Sequence, residues 1–213
     1  MRKIDKSTWD RKEIFDFFSN ISDPFYMVSF VMDVTELKAY TKRMDCSFYY
    51  SLIYLCNKAL SSIENFMYTC IDDDIYVLDD RMPSFTDRNK NSDLFKIITI
   101  PMYEDLREFV NRANEANKQQ DSFIDMSLEA NNLAYYSCLP TLRLTALSNE
   151  FDLMNPLLKD DNIPRICWGK YTENSGRLEL TISLEVNHRF IDGVHIEKFA
   201  SILEESIKEL KNY

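Results

Sequence analysis

The chain has 213 residues, 45% of them hydrophobic and 28% charged, with a net charge of −10. That size and composition suit a single compact domain over residues 1–213 with a substantial core, and the acidic balance argues against a basic surface for nucleic acid or anionic membrane. Five widely spaced cysteines with no CxxC pair, beside only two histidines, exclude a typical zinc site, so no metal is expected; no segment approaches the roughly 20 apolar residues of a membrane span, and a reduced, cytoplasmic location is expected.

Along the chain, Asp10-Arg11-Lys12-Glu13 has capping-box spacing ahead of Ile14, Phe15, Phe17 and Phe18, which predicts a short first helix capped by Asp10. Phe25 to Val34 reads as a strand, Thr35 to Met44 as a helix and Phe48 to Ile63 as a longer, mostly buried helix. Phe66 to Ile71 and Ile75 to Leu78 flank Asp72-Asp73-Asp74, the pattern of a hairpin. This triplet and Lys159-Asp160-Asp161 are read as solvated turns, because no calcium-loop spacing surrounds them. Leu106, Phe109, Val110, Ala113 and Ala116 recur at helical spacing; Leu133 to Ser137, Leu142 to Leu147 and Arg165 to Tyr171 read as strands.

The final stretch carries the chemistry. From Arg177 to His188 apolar and polar residues alternate, with Leu178, Leu180, Ile182, Leu184 and Val186 on one parity. This is the period-two signature of a strand with one buried face. His188 falls on the apolar parity and is expected to point inward. After the Asp192-Gly193 turn, Ile196, Phe199, Ala200, Leu203, Ile207 and Leu210 define an amphipathic helix. Histidine titrates nearest physiological pH and is the usual general base. Both histidines of the chain and one of its three glycines lie between Asn187 and His195. Of the two, His195 opens the helix, where the dipole disfavours its protonated form, and is read as packing. Helices and strands mix without strict alternation, which implies a mixed or antiparallel sheet covered by helices on one side.

Asn187-His188-Arg189-Phe190-Ile191-Asp192-Gly193 resembles the HxxxDG active-site motif of the chloramphenicol acetyltransferase family, within the wider CoA-dependent acyltransferases. Further likenesses run in order along the chain: Trp9-Asp10-Arg11 through Phe15, Ser47-Phe48-Tyr49, Asp74 through Asp79, Ser137-Cys138-Leu139-Pro140 and Trp168-Gly169-Lys170-Tyr171. The fold class implied is α/β, an α+β two-layer sandwich with a mixed, largely antiparallel sheet. The resemblance implies an O-acetyltransferase that moves acetyl from acetyl-CoA, a co-substrate rather than a bound cofactor, to a hydroxyl of chloramphenicol or a similar small molecule. It assigns His188 as the general base and pairs Asp192 with Arg11 as structural support. Lys170 and Tyr171 fall beside the CoA channel, and Phe25, Tyr26, Ala146 and Cys167 fall at the acceptor pocket. It also implies a homotrimer with active sites between subunits.

The departures cluster near that chemistry. Where the family has Trp-x-x-Phe-x-Ser-Phe, this chain has Thr141 in place of Trp and Ala146 in place of the serine that stabilises the oxyanion. Losing one such donor costs about 10²–10³ in turnover. Cys167 replaces a threonine, and cysteine is a weak donor. Thr145 and Ser148 are the candidate replacements for the missing hydroxyl; Ser148 shares a strand face with residue 146, so a two-residue slip would present it. The competing reading is a weak or inactive relative that binds a drug-like or acyl ligand.

Overall fold

The alternation over residues 177–187 becomes the longest strand of the computed structural model, which describes residues 1–89, 93–128, 132–145 and 160–213. In chain order the elements are β1 (Arg2–Lys3), α1 (Lys12–Ser19), β2 (Phe25–Asp33), α2 (Thr35–Arg43), α3 (Phe48–Ser61), β3 (Tyr68–Ile71), β4 (Asp74–Val77), β5 (Met82–Arg88), β6 (Phe95–Thr99), α4 (Leu106–Gln119), β7 (Leu133–Cys138), β8 (Arg165–Trp168), β9 (Thr172–Asn174), β10 (Arg177–Asn187) and α5 (Gly193–Glu209). The main sheet runs β2-β10-β8-β7-β5-β6, with β9 added beside β10. Its pairings are antiparallel except that β7 runs parallel to both β8 and β5. The strands β1, β4 and β3 form a small second sheet.

Helices cover one face of the main sheet: α3 packs on β5 and β7, α4 on β6, α5 on β2 and α2 on β10. This is the mixed, helix-covered α/β sheet that the resemblance implies. The core is the layer between them, where Leu180, Ile182, Leu184 and Val186 meet α3 residues such as Leu52, Ile53 and Leu60, all essentially solvent-free. The other parity of β10 does not stay wet. Ser183, Glu185 and Asn187 are also buried. Ser183 shares a 2.7 Å hydrogen bond with Ser29 on β2, and the Asn187 amide donates to the Asp161 carbonyl at 2.9 Å. The C-terminal half of β10 is thus covered on both faces, where the alternation implied one.

Other differences have local causes. Helix α1 starts one residue later than the Asp10 spacing predicts; Arg11 holds the cap position and caps nothing with its side chain, which is directed elsewhere. No strand forms over 142–145; residues 146 and 147 of that expectation lie outside the described residues. Instead the Leu142 N–H donates to the Leu139 carbonyl, closing a turn with Pro140 at its second position, which proline's fixed φ favours. Leu139 and Leu142 are exposed, so their apolar character marks no strand face. Strands β5 and β6 carry no clean alternation. Pro83 sits in β5, and Ser84 is buried through a 2.9 Å hydrogen bond from the Thr99 hydroxyl. The Asp72–Asp74 segment is the expected hairpin turn, with Asp72 and Asp73 at φ of 50° and 65°.

Candidate active site

His188 stands one residue beyond the end of β10, where the strand meets the turn into α5. Its backbone is pinned on both sides. The N–H donates to the Pro24 carbonyl at 2.7 Å, and the carbonyl accepts from Arg11 Nη2 at 3.0 Å. The imidazole does not sink into the core as its parity predicts. A third of the side chain, 32%, stays exposed, and the ring lies between two aromatic side chains. Phe18 of α1 stacks on it at 4.0 Å between centroids and 14° between planes; Tyr26 of β2 lies at 4.4 Å and 33°. The strand has ended before His188, so the turn rather than the pleat sets where its side chain goes.

Arg11 organises the turn beneath the imidazole. The guanidinium is buried and makes a two-pronged pair with Asp192, Nη1 to Oδ2 at 2.5 Å and Nη2 to Oδ1 at 2.6 Å. It also donates from Nε to the Arg189 carbonyl at 2.8 Å. This planar, forked match to a carboxylate is what arginine supplies and lysine does not. The Arg11 hydrogen bonds hold the Asp192 carboxyl below the usual carboxylate range, against the opposing effect of burial. Asp192 Oδ1 stands 3.2 Å from His188 Nδ1. The contact lacks hydrogen-bond geometry, and Nδ1 makes no hydrogen bond among the described residues. The carboxylate is thus an electrostatic neighbour of Nδ1 rather than its hydrogen-bond partner.

His195 serves α5. Its Nδ1 accepts the Asp192 backbone N–H at 2.9 Å, the reciprocal half of a capping box, so its proton resides on Nε2. Burial, with Arg11 as the second cause, holds its pKa below the ordinary imidazole value. Arg189 is committed to partners other than those of His188. Its guanidinium lies 4.3 Å over the Phe15 ring, donates to Ser19 Oγ at 2.9 Å and pairs with Asp160 at 2.7 Å. Both Phe15 and Phe190 lie in one aromatic cluster with Trp9 and Tyr68, which fixes α1 against the turn and so brings Phe18 to His188.

On the sheet face away from the helices is a cavity of about 450 Å³ lined by residues that include Met27, Tyr135, Ser137, Cys167 and Glu185. Cys167 pairs in register with Ser137 on β7 and Ser183 on β10. Burial pushes its thiol pKa up, with the Ser137 hydroxyl acting in the opposite direction. Ser183 lies five residues before His188, which puts Cys167 and the imidazole roughly 17 Å apart along the strand. One chain therefore does not bring the two together.

The remaining sequence candidates separate. Phe25 is half-buried at the start of β2 beside Asn187, and Tyr26 faces His188 rather than the cavity that its neighbour Met27 lines. Lys170 is exposed and its N–H donates to the Leu142 carbonyl at 2.7 Å; Tyr171 packs on Phe48 with the Lys38 ammonium over its ring. Gly169 between them and β8 is required by close approach, since a Cβ there would lie 2.4 Å from the Leu142 oxygen. Thr145 is exposed; Ala146 and Ser148 lie outside the described residues. Among the described residues no His, Cys, Asp and Glu cluster is arranged to hold a metal, and no helix is long and apolar enough to cross a membrane. Phe18, the ring stacked on His188, carries no sequence signal beyond its place in the apolar face of α1.

The sequence model of the chloramphenicol acetyltransferase family matches residues 1–204. The chain belongs to the chloramphenicol acetyltransferase family. It is accordingly an acyltransferase. It is 27% identical over 206 residues to chloramphenicol acetyltransferase 3 of Escherichia coli, covering 95% of each chain. It is 26% identical over 211 residues to the chloramphenicol acetyltransferase of Campylobacter coli, covering 97% of this chain and 98% of that one. A solved chloramphenicol acetyltransferase superposes with a TM-score of 0.87 at 23% identity, over 96% of this chain and 99% of the other. The fold extends further: a dihydrolipoamide acetyltransferase of Azotobacter vinelandii matches with a TM-score of 0.69 at 15% identity, over 94% and 87% of the two chains.

Proposed function

We propose that this chain transfers acetyl from acetyl-CoA to a hydroxyl of chloramphenicol or a similar small molecule, with His188 as the general base. The observation that carries this reading is the imidazole itself: partly exposed, stacked between rings, with Nδ1 turned toward the Asp192 carboxylate. Nε2 takes the proton of the acceptor hydroxyl as its oxygen attacks the thioester carbonyl. The tetrahedral intermediate collapses, the C–S bond breaks, and the imidazolium returns the proton to the CoA thiolate. General-base assistance of this kind contributes about 10²–10⁴-fold. Asp192 and Arg11 keep the turn in place without moving a proton. The roughly 17 Å of strand between Cys167 and His188 supports an active site completed by a second copy of the chain, as in a homotrimer, with Cys167 in the acceptor cavity of one copy and His188 supplied by the next.

One observation favours a second reading, a scaffold that holds an acceptor or acyl ligand with little turnover. Ala146 replaces the oxyanion hydroxyl, and the Cys167 thiol beside the cavity is a weak donor. Free-thiol release from acetyl-CoA in the presence of chloramphenicol separates the two. The enzyme reading expects turnover that His188→Ala abolishes. Chloramphenicol binding without thiol release would replace it with the second.

A further inference from the structure

We propose that Tyr26 is a positioning residue for the base: with Phe18 it clamps the His188 imidazole from the opposite face. This rests on His188 being the base and adds how its ring is held. Two ring centroids at 4.0 and 4.4 Å from one imidazole cannot share a face of it without overlapping each other, so Phe18 and Tyr26 flank it. The two planes are inclined to the imidazole by 14° and 33°, so both present faces rather than edges.

Backbone parity explains why Tyr26 is available for this. It pairs with Val186 in the β2–β10 ladder and shares the helix-facing side of β2 with Val28, Phe30 and Met32, while Met27 turns to the cavity. Its hydroxyl donates to the Ile191 carbonyl at 3.3 Å, three residues past His188. Pro24, two residues before Tyr26, accepts the His188 N–H at 2.7 Å. The start of β2 thus grips the turn before and after the imidazole and places a ring on it. Burial pushes the phenol pKa up to about 12, so the hydroxyl stays protonated and able to donate.

The chemical consequence is restriction of χ2. An imidazole stacked on one side only can tilt; one stacked on both keeps Nε2 on a fixed line and keeps Nδ1 facing Asp192. Because the base and a bound acceptor must meet within a few tenths of an ångström, loss of one wall lowers the chemical step rather than acceptor binding.

The test uses the full-length protein and two substitutions, Tyr26→Phe and Tyr26→Leu. Proton spectra of the imidazoles are simple to assign, because the chain has two histidines. In the wild type the His188 ring protons are expected upfield from two ring currents; Tyr26→Phe keeps that shift and Tyr26→Leu loses about half of it. In thiol-release assays with acetyl-CoA and chloramphenicol, Tyr26→Phe, which keeps the ring but loses the hydrogen bond to Ile191, should lose less in kcat than Tyr26→Leu. Tyr26→Leu should lose about five- to tenfold in kcat with KM nearly unchanged. A rise in KM at constant kcat would make Tyr26 an acceptor wall and overturn the proposal. So would wild-type His188 protons without the double upfield shift, a measurement that needs no variant. Failure of the base assignment looks different: His188→Ala would then keep its turnover, whatever Tyr26 does.

Discussion

Arg11 and Asp192 are 181 residues apart in sequence and joined by two hydrogen bonds of 2.5 and 2.6 Å. The same guanidinium donates to the carbonyls of His188 and Arg189, so three of the residues between β10 and α5 depend on one side chain from the start of α1. Replacing it removes the partner of a mostly desolvated carboxylate and leaves two turn carbonyls with one donor fewer.

Arg11→Met is therefore expected to cost about 2–3 kcal/mol in stability, below the full figure for a buried pair because Asp192 retains partial exposure. Arg11→Lys should recover only part of that, since an ammonium cannot form the fork. Chemical denaturation of the two variants measures the difference. Turnover should fall in both, because the turn they loosen carries His188.

His195 makes a different prediction, for pH. Its pKa is held down in the folded chain, so the unfolded chain takes up its proton first as pH falls. The stabilisation is fully present above about pH 6.5, the ordinary imidazole value, and is lost progressively below it until the depressed folded value is passed. His195→Gln keeps an acceptor for the Asp192 N–H without titrating. Thermal melts of the variant should therefore lose less stability than the wild type between pH 6.5 and 5. Equal losses would mean that His195 contributes no linkage.

These two contacts also show what the sequence made legible. The strand, the Asp-Gly turn and the helix around His188 were readable because period two switches to period 3.6 within a dozen residues. The position of the His188 ring was not, because it depends on Phe18 and Tyr26, which reach it from two distant elements. The same long-range demand explains the misplaced start of α1. Local spacing favours Asp10 as cap, but Arg11 occupies the cap position with its side chain committed to Asp192. Strand β5 escaped for the opposite reason: Pro83 and Ser84 are weak local strand signals, and pairing with β7 on one side and β6 on the other is what makes a strand of them.

Gly169 tests how the segment after β7 is held. An added Cβ would meet the Leu142 oxygen at 2.4 Å and the Leu144 nitrogen at 2.9 Å, both backbone atoms that do not yield by a rotamer change. Gly169→Ala should cost about 1–3 kcal/mol. It should also break the Lys170 to Leu142 hydrogen bond, so limited proteolysis within residues 139–145 should accelerate relative to the wild type. Unchanged stability and cleavage would mean that the loop does not pack on β8.

The oxyanion hydroxyl supplies the last prediction. Ala146 stands where the family resemblance places a serine, and Ser148, two residues on in the sequence, offers a hydroxyl. If Ser148 has taken over, Ser148→Ala should reduce kcat by about 10²–10³ with little change in KM, the signature of a donor that acts on the transition state. Ala146→Ser should then change little, because the intermediate is already served. If the site has lapsed, the outcomes exchange: Ser148→Ala is silent and Ala146→Ser raises the rate on chloramphenicol. Thiol-release kinetics of the two single variants and the double variant distinguish these cases, because a rate gain in Ala146→Ser that persists in the double variant assigns the hydroxyl to position 146 alone.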